Sequence, residues 1–185
     1  MISDDIDYRE AVAADALCLG VLAMQVYLDT YAIQGIRPAI ARDALEHGSV
    51  DAFAALLAGT AATVVVAERA GHLVGFAQVT HGATHALLAP GPAAELLRLY
   101  VQEPFTARGI GRELLRRAER VAAARGAATL WLTAWVGNAR ALAFYPRQHY
   151  ADVGDTVYTF EGERFPNKLF ARDLRETAHA RAATR

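Results

Sequence analysis

The chain is expected to fold as an α/β protein of the α+β kind, and three features of its sequence carry that expectation. The first third has apolar residues at helical spacing, the middle holds two β-branched runs joined by Ala70-Gly71, and the second half alternates strand-like with helix-like segments. A length of 185 residues suits one domain, and 54% hydrophobic against 21% charged residues supplies a sizeable core and excludes wholesale disorder. Residues 1–174 are read as that single domain and 175–185 as a flexible tail.

Ile6 to Glu10 reads as a short strand. Asp15 to Tyr31 follows as a long helix with apolar residues at Leu17, Val21, Met24 and Leu28. Pro38 suits the first turn of a second helix, which Gly48 stops near His47. Ser49 is a candidate N-cap for a third helix beginning at Asp51. Thr63 to Ala67 and Leu73 to Thr80 then form a hairpin about Ala70-Gly71, and Gly82 to Pro92 has no period and reads as a loop. Ala94 to Val101 alternates, with Glu95, Leu97, Leu99 and Val101 on one face and Leu96, Arg98 and Tyr100 on the other. Between Gly111 and Gly126, Leu114, Leu115, Ala118, Val121 and Ala122 make an apolar stripe, with Arg112, Arg116, Glu119 and Arg120 on the wet face and Glu113 to Arg117 as an i,i+4 pair. Thr129 to Val136 is a strand. Asn138 caps a short helix through Tyr145, which Pro146 must end or kink, and strands follow at Ala151 to Glu161 and Asn167 to Leu174.

Charge and cysteine content narrow the function classes. With 19 basic and 20 acidic residues the net charge is −1, so no global field draws the chain to nucleic acid or to an anionic membrane. The N-terminus is acidic where a secretory leader is basic, and the apolar stretches are too interrupted to span a bilayer. One cysteine, Cys18, cannot form an internal disulfide; it reads as core, and a reducing cytoplasm is the expected setting. His81 and His85 lie four apart, but no cysteine or third ligand accompanies them, so no metal is expected.

The segment from Leu99 through Val101 to Gly109, Gly111 and Leu115 is a strand, a turn containing proline and two glycines, and an amphipathic helix. That layout gathers backbone N–H groups at the positive end of a helix dipole, where a diphosphate would be held. A P-loop is excluded because Arg112-Glu113 follows the second glycine where Lys and Ser or Thr are required. A dinucleotide fingerprint is disfavoured by Leu114 at its third small position.

The run Leu99-Tyr100-Val101, Arg108-Gly109-Ile110-Gly111 and Glu113-Leu114-Leu115 resembles the acetyl-CoA signature of the GNAT N-acetyltransferase superfamily. A second signature follows about thirty residues on, since Asn138-Ala139-Arg140-Ala141-Leu142-Ala143-Phe144-Tyr145 resembles that family's Asn-x-x-Ala-x-x-Phe-Tyr helix. The resemblance covers Leu73 to Leu174. It implies a mixed, mostly antiparallel sheet of six or seven strands flanked by helices, with the two signature strands splayed about the cofactor arm. It further implies acetyl-CoA as cosubstrate and coenzyme A as product. Leu99 and Val101 would bond the arm through their backbones, with Tyr100 beside them. Thr106, Ala107, Arg108, Gly109, Ile110, Gly111 and Arg112 would hold the pyrophosphate. Asn138, Ala141, Phe144 and Tyr145 would complete the cofactor-binding set. The family's turn usually opens with Arg or Gln where this chain has Thr106, and its Gly after the Tyr helix is here replaced within Pro146-Arg147-Gln148-His149.

The chemistry such a transferase must perform can be argued from pKa values. An amine with a pKa near 10.4 is almost wholly ammonium at neutral pH, so a base must take its proton, and a thiolate with a pKa of about 8.5 leaves more easily when protonated. Tyr145 matches the family's general acid, and the Val101 N–H is the donor for charge developing on the attacked carbonyl oxygen. Glu95, acting through water, is the candidate base, ahead of Tyr100, His81, His85 and Tyr31. The expected function is therefore acetyl transfer to a primary amine, in a small molecule or a peptide, by direct attack in a ternary complex. Tyr27 to Tyr31 and Gly35-Ile36 faintly resemble polyamine-type members, with Asp29 or Glu46 to attract a cation. A non-catalytic acetyl-CoA-binding module is the alternative, a homodimer stays open, and neither nucleic acid nor membrane is expected as a partner.

Overall fold

A computed structural model describes residues 5–175, so Met1 to Asp4 and most of the expected tail lie outside the described residues. The elements are β1 (Ile6–Glu10), α1 (Ala16–Tyr31), α2 (Pro38–His47), α3 (Val50–Ala58), β2 (Ala62–Arg69), β3 (His72–His81), β4 (Ala93–Val101), α4 (Ile110–Ala124), β5 (Thr129–Trp135), α5 (Ala139–Arg147), β6 (Ala151–Phe160) and β7 (Glu163–Asp173). The strands form one seven-stranded sheet in the order β1-β2-β3-β4-β5-β7-β6, mostly antiparallel, as expected. The described residues fall into two compact units: one runs to Gln78 and takes in Arg98–Ala118, and the other comprises Val79–Leu97 and the chain from Glu119.

In the first unit, β1 pairs antiparallel with β2, Ile6 opposite Arg69 and Glu10 opposite Val65. The core joins Leu19, Leu22 and Ala23 of α1 with Phe53 of α3, Val64 and Val66 of β2 and Phe76 of β3. Ser49 caps α3 as expected, its hydroxyl accepting from the Ala52 N–H at 3.2 Å. The buried face of α1 differs from the expected one: Leu17 and Val21 are 61% and 60% exposed, and Ala16, Leu19, Leu22, Ala23 and Tyr27 are inside. Cys18 is exposed too, not core. The helix is apolar on nearly every side, so the spacing showed a helix without showing which stripe packs. By length and composition alone the stretch Ala13–Tyr31 is also long and apolar enough to cross a membrane, contrary to the expectation from interruptions, although 39% of it is buried in protein.

In the second unit, β4 and β5 pair in parallel over three positions, Ala93 with Thr129 to Glu95 with Trp131, while the strands themselves run on to Val101 and Trp135. β5 pairs antiparallel with β7 and β7 with β6, with a register shift between Asp152 and Gly154. β7 starts at Glu163, earlier than the Asn167 expected. Pro166 is accommodated inside it, opposite Val157, and uses its carbonyl to accept from the Val136 N–H at 3.0 Å. Glu119 overturns its assignment to the wet face of α4: it is 8% exposed and accepts from Arg172 Nη1 at 2.9 Å and from the Tyr150 hydroxyl at 3.2 Å.

Candidate functional site

The first unit carries the glycine turn. The N–H of Gln102, just past β4, donates to Val74 O at 3.0 Å, and a single 3₁₀ turn follows over Glu103–Phe105 with Pro104 in it. Thr106 closes that turn with its N–H and its hydroxyl, both on the Glu103 carbonyl at 3.1 and 2.9 Å. Ala107 (φ 59°) and Gly109 (φ 83°) are then left-handed on either side of Arg108, and α4 begins at Ile110. Left-handed residues so spaced turn successive N–H groups to one side, a concave cradle for an anion. The N–H groups of Ile110, Gly111 and Arg112 extend it, because the helical bonds start with Glu113 N–H on Gly109 O at 3.1 Å.

The two glycines of this turn are not equivalent. Gly109 is required by its φ, whereas a Cβ at Gly111 would lie 3.8 Å from Val101 Cγ2, an ordinary contact. Arg108 lies over the Phe105 ring at 5.7 Å and Arg112 is exposed, so both guanidinium groups are at the surface beside the cradle. Leu99, Tyr100 and Val101 are half-buried on β4. Gly75 of β3 is a residue the sequence reading missed: a Cβ there would come within 2.7 Å of the Tyr100 carbonyl oxygen, so only glycine lets the two backbones approach. A lone glycine inside a β-branched run was the available signal.

The second unit carries the other expected residues. Glu95 stands opposite Trp131 in the ladder, half-buried, with no hydrogen bond or ion pair among the described residues. Burial pushes its carboxyl above the ordinary value. Asn138 caps α5, its Oδ1 accepting from the Ala141 N–H at 3.0 Å, which leaves the amide NH₂ as its free function.

α5, expected to run through Tyr145 and to end or kink at Pro146, continues through Pro146 to Arg147. The proline falls in the last turn. The chain then leaves the helix through a C-terminal cap in which the Tyr150 N–H bonds Tyr145 O at 3.1 Å, the His149 N–H bonds Pro146 O at 3.0 Å, and His149 takes the left-handed position (φ 64°) that glycine usually fills. Tyr145 is 8% exposed, its ring packed on those of Phe144, Tyr150 and Phe170 at 5.2 to 5.9 Å.

The remaining suspects for a base are placed as follows. His81 lines a cavity of about 130 Å³ with Gly82, Thr84, Arg125 and Gly126, none of them signature residues. Burial and the Arg125 charge hold its imidazole below the ordinary pKa. His85 lies against Trp131, ring centres 5.3 Å apart, and its Nδ1 accepts from the Leu87 N–H at 3.2 Å. In the first unit Tyr31 lies against Tyr27 at 4.7 Å, and Asp29 and Glu46 are exposed.

Comparison with known proteins agrees with this geometry. The sequence model described as the acetyltransferase (GNAT) family matches residues 30–150. Among solved structures the chain is similar to the PaiA N-acetyltransferase of Thermoplasma acidophilum in complex with coenzyme A, at TM-score 0.70 and 22% identity over 91% of this chain and 99% of that one. It is likewise similar to Arabidopsis thaliana NAA60 in complex with a bisubstrate analogue (TM-score 0.68, 18% identity, 91% and 98% covered). A third is the ribosomal-protein-alanine N-acetyltransferase of Brucella melitensis (TM-score 0.63, 23% identity, 90% and 99% covered). At these identities the structural likeness is one of fold. The family match spans more than half of the chain and takes in both the glycine turn and the α5 signature, and by it this chain belongs to the GNAT acetyltransferase family.

Proposed function

We propose that the protein is an acetyl-CoA-dependent N-acetyltransferase acting on a primary amine by direct attack in a ternary complex, in a cytoplasmic setting. The observation that carries the reading is the run Ala107 to Arg112. Two left-handed residues and an uncapped helix start converge N–H groups where a pyrophosphate would be cradled, so the residues present fit the cosubstrate. Acetyl-CoA supplies an acyl group activated as a thioester. Leu99 and Val101 would hold its arm through the β4 backbone, Tyr100 beside them. Asn138 would contribute its amide NH₂, with Ala141 and Phe144 as packing surface.

Glu95 takes the proton of the acceptor ammonium through water. Its raised pKa makes it a better base than an ordinary carboxylate, and no partner among the described residues competes for its oxygens. As the new N–C bond formed and the C–S bond broke, the Val101 N–H would donate to the carbonyl oxygen, the Tyr145 hydroxyl would give its proton to the departing sulfur, and the second proton lost by the attacking nitrogen would restore the phenol. A polyamine-type acceptor rests on the sequence resemblance alone, because Asp29 and Glu46 are both exposed.

The test is calorimetric titration with acetyl-CoA, paired with thiol release in the presence of amines. Wild type is expected to bind. Gly109→Glu is expected to lose at least tenfold in affinity, because a carboxylate enters the cradle and a side chain strains the left-handed turn. Tyr145→Phe is expected to bind normally and to turn over about 10²-fold more slowly. A second reading, a non-catalytic acetyl-CoA-binding module, is favoured by the close packing of Tyr145 among three rings. Equal thiol release by wild type and Tyr145→Phe would remove the acid role. Binding without release for any amine would select the second reading.

A further inference from the structure

Two half-buried arginines of the first unit carry countercharges. Arg9 places its guanidinium on Asp15 and Glu68 through four hydrogen bonds of 2.7 to 2.9 Å, and Arg117 lies 2.7 Å from Glu113. Arg98 of β4 does not. Its Nη1 donates to the neutral Oε1 of Gln78 at 2.9 Å, its guanidinium lies 5.2 Å over the Phe53 ring, and no carboxylate among the described residues pairs with it. Burial pulls its pKa below the ordinary value, so the fold carries a desolvation cost that no paired anion among the described residues offsets.

Tyr100 lies two residues along the same strand. Its ring meets Phe76 edge-on at 5.4 Å and Phe76 meets Phe53 edge-on at 5.8 Å, so Arg98 and Tyr100 rest on one aromatic floor. The Tyr100 hydroxyl makes no hydrogen bond among the described residues. Asp43 lies within electrostatic reach of Tyr100; its Oδ2 takes the Tyr27 hydroxyl, whereas its buried Oδ1 makes no hydrogen bond, the His47 Nδ1 bonding the Asp43 backbone carbonyl at 3.0 Å. A guanidinium has five N–H donors in a planar fork, and Gln78 takes one of them. The remaining donors together with a phenol hydroxyl match the oxygens of a carboxylate.

We propose that Arg98 and the Tyr100 hydroxyl form the receptor for a carboxylate on the acceptor, so that the amine acetylated belongs to a small amino acid. The inference rests on the N-acetyltransferase reading above and narrows its acceptor. A site built to bond a polar group rejects the analogue that lacks it, because the group left behind is buried and unpaired.

The experiment compares L-α-amino acids with their carboxamides and with spermidine, by thiol release at saturating acetyl-CoA and by calorimetric binding in the presence of coenzyme A. Wild type is expected to turn over at least one amino acid with a KM at least about tenfold below that of its amide. Arg98→Met is expected to raise the KM for the acid about 10- to 100-fold, with kcat, the amide KM and acetyl-CoA affinity unchanged. Arg98→Lys is expected to recover part of the loss, since it restores the charge without the fork. Equal use of acid and amide by wild type, a preference for spermidine, an equal loss on both substrates in Arg98→Met, or weakened acetyl-CoA binding in that variant would each overturn the proposal. Thiol release without acid preference would keep the transferase and remove the receptor. Acid-selective binding without thiol release would keep the receptor and remove the transferase. The wild-type comparison requires no variant to fold.

Discussion

At Glu95 burial works against the ionised form of the side chain. A carboxyl that burial raises prefers the protonated form in the folded state. Its favourable contribution is therefore complete below the unfolded value near 4.3 and is lost as pH rises through the raised folded value. At neutral pH the ionised group works against folding, a strain that suits a base and serves no structural purpose. Glu95→Gln is accordingly expected to melt at or above the wild-type temperature at pH 7 while kcat/KM falls about 10²-fold. In wild type, kcat/KM should decline as pH drops through the Glu95 value, and the glutamine variant should lack that limb. An unchanged acid limb in the variant would reduce Glu95 to packing.

The elements show where pattern reading holds and where tertiary packing overrides it. α4 presents Leu114, Leu115, Ala118 and Ala122 to the core as its spacing predicts, yet Glu119, one step from that stripe, is drawn inside by Arg172 and Tyr150. Those partners lie 53 and 31 positions away, and no local period carries them. Glu119→Ala leaves the guanidinium half-buried without its anion, and is expected to lower the unfolding free energy by about 3 kcal/mol, measured by urea titration. α1 was legible as a helix and illegible as a face, because a helix apolar all round offers more than one stripe to bury. In α5 the proline was visible and its consequence was not, since a ring that breaks a helix interior can sit in a last turn whose exit another residue supplies, here left-handed His149. The glycine turn was legible at Gly109 and the helix start behind it, which are local properties, but not at left-handed Ala107, and Gly111 has no steric need of a glycine. Gly75 and Arg98 were not, because their meaning depends on Tyr100, Phe53 and Gln78, brought to them by the sheet and by α3.

On the scale of the whole molecule, acid sensitivity should be set by carboxylates that arginines hold below their ordinary values. Arg9 depresses Asp15, whose Oδ2 also accepts from the Val12 N–H at 2.7 Å, and Arg116 with Arg117 holds the Glu113 carboxyl at about 2. A depressed carboxylate contributes stability above its unfolded value near 4 and loses it as pH falls through the folded value. Arg9→Met is therefore expected to cost about 2 kcal/mol at pH 7, discounted for the partial exposure of Arg9. The gap to wild type should close as the pH is taken towards 2, read as melting temperature against pH.

The chain passes between its two compact units within β3, within β4 and within α4. No loop marks their border, so shuffling this gene with a relative's has no silent place to join. A crossover at the border would splice half of one strand or helix onto half of another and require both parents to share its register. Exchange of acceptor preference is therefore confined to whole elements such as α1 to α3 or to single side chains such as Arg98, and a library built on point changes should yield folded members where one built on fragments does not.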